Sequence, residues 1–278
     1  MRFAVNTPNF DLYSDPRLLA ELAREAEDAG WDGFFIWDHI GAGPEWPAPL
    51  ADPWVALTAM AMTTQRIKLG PIVTALPRRR PWQVARTAAT LDHLSNGRVI
   101  LGVGIGSDQG REYTCFGESA DDTLHAEMLD EGLEIVTRLW SGETFTYAGK
   151  RYQLTNARFL PTPVQTPRIP IWVAGAWPNK KPFRRAARWD GVCPMGRDHE
   201  LTPQDYQEIG AFIRTQRRDD APFDLVAAGH TTGTDHEQDT ATLRPFAEAG
   251  VSWWQEAFDW SHSLAQVRAR IRQGPPRV

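Results

Sequence analysis

Trp31-Asp32-Gly33-Phe34-Phe35-Ile36-Trp37-Asp38-His39-Ile40 is the stretch whose pattern decides the fold. Phe34 to Trp37 is apolar without alternation, which predicts a strand buried on both faces, as in a parallel sheet covered by helices. Upstream, Asp15-Pro16 is a helix cap with proline in the first turn. Leu18, Leu19, Leu22, Ala23, Ala26 and Ala29 then recur on one face until Gly30 ends the helix. Asp38 and His39 fall at the C-terminal end of the predicted strand, where the loops of a parallel α/β architecture converge on ligands. An acid and an imidazole leaving a strand also satisfy the backbone of an ordinary loop, so one strand alone does not define a site.

The same unit repeats outward from this stretch. Strands are predicted over 2–7, 34–37, 67–73, 98–103, 169–175, 191–194, 224–228 and 251–254. Helices are predicted over 16–29, 53–62, 81–94, 123–140, 182–187, from 203, and over 243–249 and 264–271. Three joints between helix and strand are alike: Ala29-Gly30-Trp31-Asp32-Gly33-Phe34, Ala187-Arg188-Trp189-Asp190-Gly191-Val192 and Ala249-Gly250-Val251-Ser252-Trp253-Trp254. About eight strand–helix units close a (β/α)8 TIM barrel, and repetition of one unit favours that barrel over an open doubly wound sheet. The alternation breaks over 141–168, where 143–154 reads as a β-hairpin insertion between the fourth helix and the fifth strand. Such a long insertion points to a binding role or a subunit contact.

Composition narrows the function. The 278 residues are 42% hydrophobic, enough for one barrel core, and the net charge of -5 argues against a nucleic-acid binder. No apolar run is long enough to span a membrane, and two distant cysteines, Cys115 and Cys193, suit reduced thiols in a cytoplasmic protein. The 12 tryptophans suit core filling or a pocket for a flat ring. Arg78-Arg79-Arg80 reads as a solvated loop or, more sharply, as a phosphate contact.

Gly102-Val103-Gly104-Ile105-Gly106-Ser107 follows an apolar strand but is a poor dinucleotide fingerprint. Ser107 stands where a glycine is required, the strand is the fourth, and no acid is placed to hold a ribose. Glycines that make room for a cofactor fit better. The seven histidines, 39, 93, 125, 199, 230, 236 and 262, lack the spacing of a zinc hydrolase, so no metal site is expected. His93 and His125 fall on helices and read as surface or capping groups. Asp38, Asp108 and Glu256 could serve a barrel hydrolase. Gly175-Ala176-Trp177, running into Asn179, Lys180 and Lys181, could hold a phosphate, which keeps open a non-redox barrel binding a phosphorylated ligand.

Taken together, Ala26-Glu27-Asp28-Ala29-Gly30-Trp31-Asp32-Gly33 with Trp37-Asp38-His39, Leu69-Gly70-Pro71-Ile72-Val73, Leu91-Asp92-His93-Leu94-Ser95-Asn96-Gly97-Arg98, Leu101-Gly102-Val103-Gly104-Ile105-Gly106 with Glu112-Tyr113, Leu139-Trp140-Ser141-Gly142-Glu143 and Ala186-Ala187-Arg188-Trp189-Asp190-Gly191 resemble the bacterial-luciferase-like flavin-dependent oxidoreductases and monooxygenases. The resemblance implies that residues 1–278 form one TIM-barrel domain, dimeric in most relatives. It implies FMN or the deazaflavin coenzyme F-420 at the C-terminal face, NAD(P)H as a candidate external reductant, and a small-molecule substrate. By the same resemblance, His39 and Asp38 lie at the reacting edge of the ring, and Ile72-Val73 forms a bulge behind it, often a non-prolyl cis peptide. Gly106, Ser107 and Asp108 line the ring, and Gly175, Ala176 and Trp177 hold the phosphate. His125 stands where many relatives carry arginine. Asp38-His39 suits the deazaflavin enzymes, whereas little beyond Lys180 and Lys181 suggests a groove for a long anionic tail.

Overall fold

The caps read from the sequence start the first two helices. In the computed structural model, which describes residues 1–41, 43–44 and 48–276, the Asp15 carboxylate accepts from Arg17 N and that of Asp52 from Trp54 N and Val55 N. Each opens a helix with proline in its first turn, α1 (Pro16–Ala29) and α2 (Pro53–Thr63). Residues 42 and 45–47 of the loop predicted over 41–51 lie outside the described residues.

The strands are β1 (Arg2–Thr7), β2 (Gly33–Ile36), β3 (Lys68–Pro71), β4 (Thr74–Ala75), β5 (Leu101–Gly104), β8 (Ile171–Trp177), β9 (Gly191–Gly196), β10 (Asp224–Gly229) and β11 (Trp253–Ala257), with β6 (Phe145–Ala148) and β7 (Gln153–Ala157) forming a separate antiparallel pair. The large sheet runs β3-β2-β1-β11-β10-β9-β8-β5-β4, with parallel pairing. β3 and β4 are two halves of one stave interrupted at Ile72-Val73, and the bridge between Leu69 and Val99 joins the remaining edge. The remaining helices are α3 (Pro81–Leu94), α4 (Asp122–Trp140), α5 (Lys180–Ala186), α6 (Pro203–Gln216), α7 (His236–Glu248) and α8 (Leu264–Arg272). The architecture is the expected α/β TIM barrel.

The three similar joints have one physical cause. Asp32, just before β2, accepts a hydrogen bond from Phe3 N of neighbouring β1 at 2.9 Å. Asp190, before β9, accepts from Ile171 N of β8 at 2.7 Å, and Ser252, before β11, accepts from Leu225 N of β10 at 3.1 Å. Each polar residue thus satisfies a backbone donor near the start of the adjacent strand, at the N-terminal rim. Trp31 belongs to the same joint, fully buried, with its indole N–H on Ile271 O at 2.9 Å.

Two cores result. One lies between barrel and helices; the other fills the lower lumen with Ala4, Phe35, Ile100, Trp172, Cys193, Val226 and Trp253. The rings of Phe35, Trp172 and Trp253 stand 5.3 to 5.9 Å apart, and the Arg2 guanidinium covers Trp253 from below at 4.8 Å. Much of the tryptophan excess is therefore structural.

Several boundaries moved. α7 begins at His236, capped by Asp235, well before the predicted 243, because its first two turns are polar and carry no apolar period. β11 extends to Ala257, past the predicted 254, because Gln255 and Glu256 are polar yet buried. The β6–β7 pair lies along α4. Glu131 accepts from the backbone N–H groups of Lys150, Arg151 and Tyr152, and Tyr152 meets Trp82 of α3 edge-on at 6.3 Å. Among the described residues, no helix is long and apolar enough to cross a membrane.

Candidate active site

β2 delivers Trp37, Asp38 and His39 to the C-terminal mouth of the barrel, and buried Asn9 pins the turn that follows. Asn9 Nδ2 donates to His39 O at 2.9 Å and to Ala51 O at 2.8 Å, while its Oδ1 accepts from His39 N at 3.1 Å. Main-chain hydrogen bonds therefore hold His39, and its side chain, 33% exposed, remains at the mouth. Phe10 and Trp37 flank the imidazole, each with its ring 5.8 Å away.

His39 Nδ1 lies 3.1 Å from Glu112 Oε1. The same oxygen accepts from Ile40 N at 2.7 Å and Gly41 N at 3.1 Å, and Oε2 meets Arg78 Nη1. Burial alone would raise the Glu112 pKa. The hydrogen bond from His39, the charge of Arg78 and the Gly41 N–H outweigh it and hold the carboxyl down to about 2. An ionised carboxylate only accepts, so Nδ1 of His39 carries a proton and Nε2 is the nitrogen that can take or give another.

Asp38 sits beside this pair with a different role. Its oxygens accept from Thr74 Oγ1 at 2.8 Å and from Arg79 Nε and Nη2 at 3.1 and 2.9 Å, and its side chain is 1% exposed. The structure thus places the carboxylate as an anchor between β4 and the arginine turn. Arg78 and Arg79 are not the solvated run their spacing suggested. The Arg78 side chain is 5% exposed and bridges Glu112 to the Asp38 carbonyl. Sequence reading missed their burial because the two acids they neutralise lie more than thirty positions away, 40 or 41 for Asp38 and 34 for Glu112.

The peptide joining Ile72 and Val73 is cis. The glycines of β5 make room for this segment. A Cβ on Gly102 would lie 2.9 Å from Ile72 Cδ1 and 3.2 Å from Val73 Cγ1, with Pro71 O nearer still. A Cβ on Gly104 would lie 3.0 Å from Val73 Cγ2. The Gly-x-Gly pattern is therefore a close backbone approach inside the barrel.

The other predicted residues divide. Gly106 has φ +78° and packs on Tyr113 and Ala75. Ser107 is exposed, its Oγ accepting from Gln109 N at 3.2 Å. Asp108 holds its own loop, accepting from Tyr113 N, Thr114 N and Thr114 Oγ1, which lowers its pKa. Gly175 faces outward, where an added Cβ would meet Pro182 at 2.6 Å. Ala176 is the half-buried position between it and Trp177, whose buried ring lies on Phe183 with the Lys180 ammonium 3.2 Å above it. Glu256 is buried against Thr231 and Arg270. The three carboxylates considered for a hydrolase thus serve three separate networks. His125 is buried, stacked on Tyr113 at 3.9 Å, and accounts for no surface role.

Above the aromatic floor, five lumen-facing positions are small, Gly104, Ala174, Ala176, Ala228 and Ala257, beside the larger Asn6, Met195 and Gln255. A hydrogen-bonded chain crosses this level from Trp37 Nε1 to Asn6 Oδ1 at 2.6 Å and from Asn6 Nδ2 to Gln255 Oε1 at 2.5 Å. It ends on Gln255 Nε2, a buried donor left without a partner. A small-residue cradle with an orphan donor at its edge fits a flat ring that carries carbonyl oxygens. A groove of about 550 Å³ on the outer surface, lined by Trp54, Arg79, Trp82, Arg86 and Phe159, lies away from these groups. Among the described residues, no cluster of three or more His, Cys, Asp or Glu side chains could hold a metal ion.

Fold and site define a parallel barrel with a closed floor and a mouth built around an imidazole–carboxylate pair. The profile of the family described as luciferase-like monooxygenase matches residues 1–275, and the chain belongs to that family. It is 31% identical over 199 residues to an F420-dependent glucose-6-phosphate dehydrogenase of Amycolatopsis mediterranei, covering 67% of this chain and 56% of the relative. The chain spans about half the length of the curated relatives of this kind that it matches. Among solved structures, an F420-dependent secondary alcohol dehydrogenase in complex with an F420–acetone adduct superposes with a TM-score of 0.80 at 17% identity. The match covers 98% of this chain and 97% of that one. A monooxygenase from Streptomyces bottropensis superposes with a TM-score of 0.74 at 20% identity, covering 98% and 97%. At these identities the structural likeness is one of fold.

Proposed function

We propose that the protein is an oxidoreductase that uses a flavin-type ring, with coenzyme F-420 as the favoured cofactor and FMN as the alternative. The observation that carries the reading is the His39–Glu112 pair at the mouth above a cradle of small residues. Relatives at 31% to 34% identity named as F420-dependent support the deazaflavin. Ile72 and Val73 would back the ring, Gly104, Ala174 and Ala176 would leave it room, and Gln255 Nε2 would meet its polar edge. When bound, the ring supplies the two-electron chemistry.

The chain's own residues supply the rest. Glu112 and the main-chain clamp of Asn9 hold the imidazole in one tautomer and one place. His39 Nε2 then gives or takes the proton of a substrate oxygen as a hydride leaves or reaches the adjacent carbon. Arg78 keeps Glu112 ionised, and Asp38, through Arg79 and Thr74, fixes the turn that carries the imidazole. The rings of Phe10 and Trp37, set edge-on to His39, limit how its imidazole can turn.

Titration of the purified protein with F-420 and with FMN, followed by visible absorbance, tests this reading. Saturable binding of F-420 at one molecule per chain is expected. Failure to bind either compound would overturn the assignment.

The proposal extends to a homodimer through α2. That helix is apolar on its outer side too, with Val55 60% and Met62 63% exposed on one face. Native mass spectrometry should give twice 31.3 kDa, and Val55→Asp with Met62→Asp should return the mass of one chain. A cytoplasmic setting belongs to the same reading and accords with two cysteines that form no disulfide.

A further inference from the structure

A second imidazole–carboxylate pair stands at the mouth, on the loop between β11 and α8, and the chemistry above leaves it without a role. His262 Nδ1 lies 2.9 Å from Asp259 Oδ1, clearly nearer than the Asp259 backbone N–H and the Ser261 hydroxyl, each 3.4 Å away, so the carboxylate is its main partner. Asp259 also accepts from the hydroxyl and the backbone N–H of Ser261, which keeps its carboxyl below the ordinary range. The ring of His230, on the loop after β10, stacks on His262 at 5.6 Å and 29°. Phe258 closes the other side edge-on at 5.5 Å. His262 is thereby held by a carboxylate and two rings, as a positioned group is.

Between Asp259 and His262 the same loop presents Trp260, 64% exposed. Its ring lies 6.0 Å from Phe10 and 6.5 Å from Trp37, and those two rings flank His39. A shelf of aromatic faces thus runs from the reacting imidazole, by two ring-to-ring steps, to a loop that ends in a hydrogen-bonding imidazole. An exposed indole beside an apolar shelf is suited to stacking a flat ligand. With Asp259 ionised and taking the Nδ1 proton, Nε2 of His262 is the atom presented to a ligand. The neighbouring negative charge disfavours a carboxylate or phosphate there and favours a neutral hydroxyl, which both donates and accepts.

We propose that Trp260 and His262 determine specificity for a substrate with a flat aromatic body and a hydroxyl remote from the reacting carbon, stacked on Trp260 and hydrogen-bonded to His262. The proposal rests on the oxidoreductase reading and names the substrate class of that site.

Two ketones of biphenyl length test it on cofactor-loaded protein by isothermal titration: acetylbiphenyl, and its counterpart with a hydroxyl at the far para position. The wild-type protein should bind the hydroxylated compound roughly tenfold more tightly, as expected for one net hydrogen bond at a partly exposed imidazole. His262→Leu should abolish the preference, and His262→Gln should restore part of it. Trp260→Ala should weaken both compounds on the order of tenfold, with Trp260→Phe restoring most of the loss. Near-ultraviolet circular dichroism confirms that each variant is folded. A wild-type protein that binds neither compound, or shows no preference, overturns the proposal, as does a preference that survives in folded His262→Leu. Cofactor affinity is measured first on the same samples. Its absence overturns the oxidoreductase reading and this proposal with it, whereas intact cofactor affinity without the hydroxyl preference overturns this proposal alone.

Discussion

His39→Ala is expected to lower turnover by roughly 10²–10⁴, the range for loss of a positioned proton-transfer group. Folding should hardly notice. The ring is one third exposed, and the clamp by Asn9 acts on the main chain of residue 39 and survives the change. Glu112 keeps its hydrogen bonds from Ile40 N and Gly41 N and its pairing with Arg78. Cofactor affinity should fall only modestly, because the cradle residues are untouched. Single-turnover kinetics beside a thermal melt separates the outcomes. Full activity, or an unfolded variant, would show that His39 is a structural residue.

Glu112→Gln should be costly to both stability and activity. The substitution leaves the buried Arg78 guanidinium only the Asp38 carboxylate, at 3.5 Å and shared with Arg79, and breaking a buried pair in this way destabilises by up to about 3–5 kcal/mol. It also presents an amide N–H₂ to donors, so the imidazole tautomer is no longer dictated. A pH series distinguishes this from general damage. The folded-state pKa of Glu112 is depressed from the ordinary 4.5 to about 2. Its stabilisation is therefore fully present above about 4.5 and is lost as pH falls from there toward 2. A depression of this size corresponds to about 3 kcal/mol of acid-sensitive stability. Urea unfolding of the wild type should show that loss across the window, and Glu112→Gln should lack it. An identical acid slope in both proteins would remove Glu112 as its source.

The barrel was legible because local signals agreed. Asp15-Pro16 and Asp52-Pro53 mark helix starts by chemistry that needs no tertiary partner, and both caps form as read. Phe34 to Ile36 announces burial on both faces by its lack of alternation, and all three residues are fully buried. The family was legible for the same reason, since its motifs lie at these joints. The charge network was not. Arg78 and Arg79 are adjacent in sequence yet divide their contacts between Asp38 and Glu112, and nothing in a run of arginines distinguishes a solvated loop from a clamp on two acids. The link from Asn6 to Gln255 spans 249 positions and becomes visible only once the barrel brings β1 beside β11. The glycines of β5, read in the sequence as room for a cofactor, also make room for Ile72 and Val73, because a neighbouring strand's irregularity leaves its trace in the glycines of the strand it presses on.

The floor formed by Phe35, Trp172 and Trp253 has a kinetic consequence. With the lower lumen filled and Arg2 set over Trp253, a ligand in the cradle has no way out through the floor of the barrel. Two ligands that enter and leave from the same side do not exchange independently: the deeper enters first and leaves last. On the proposed reading, a ring in the cradle below His39 would stay while smaller partners arrive and depart above it, so ordered addition and release is the expected kinetic pattern.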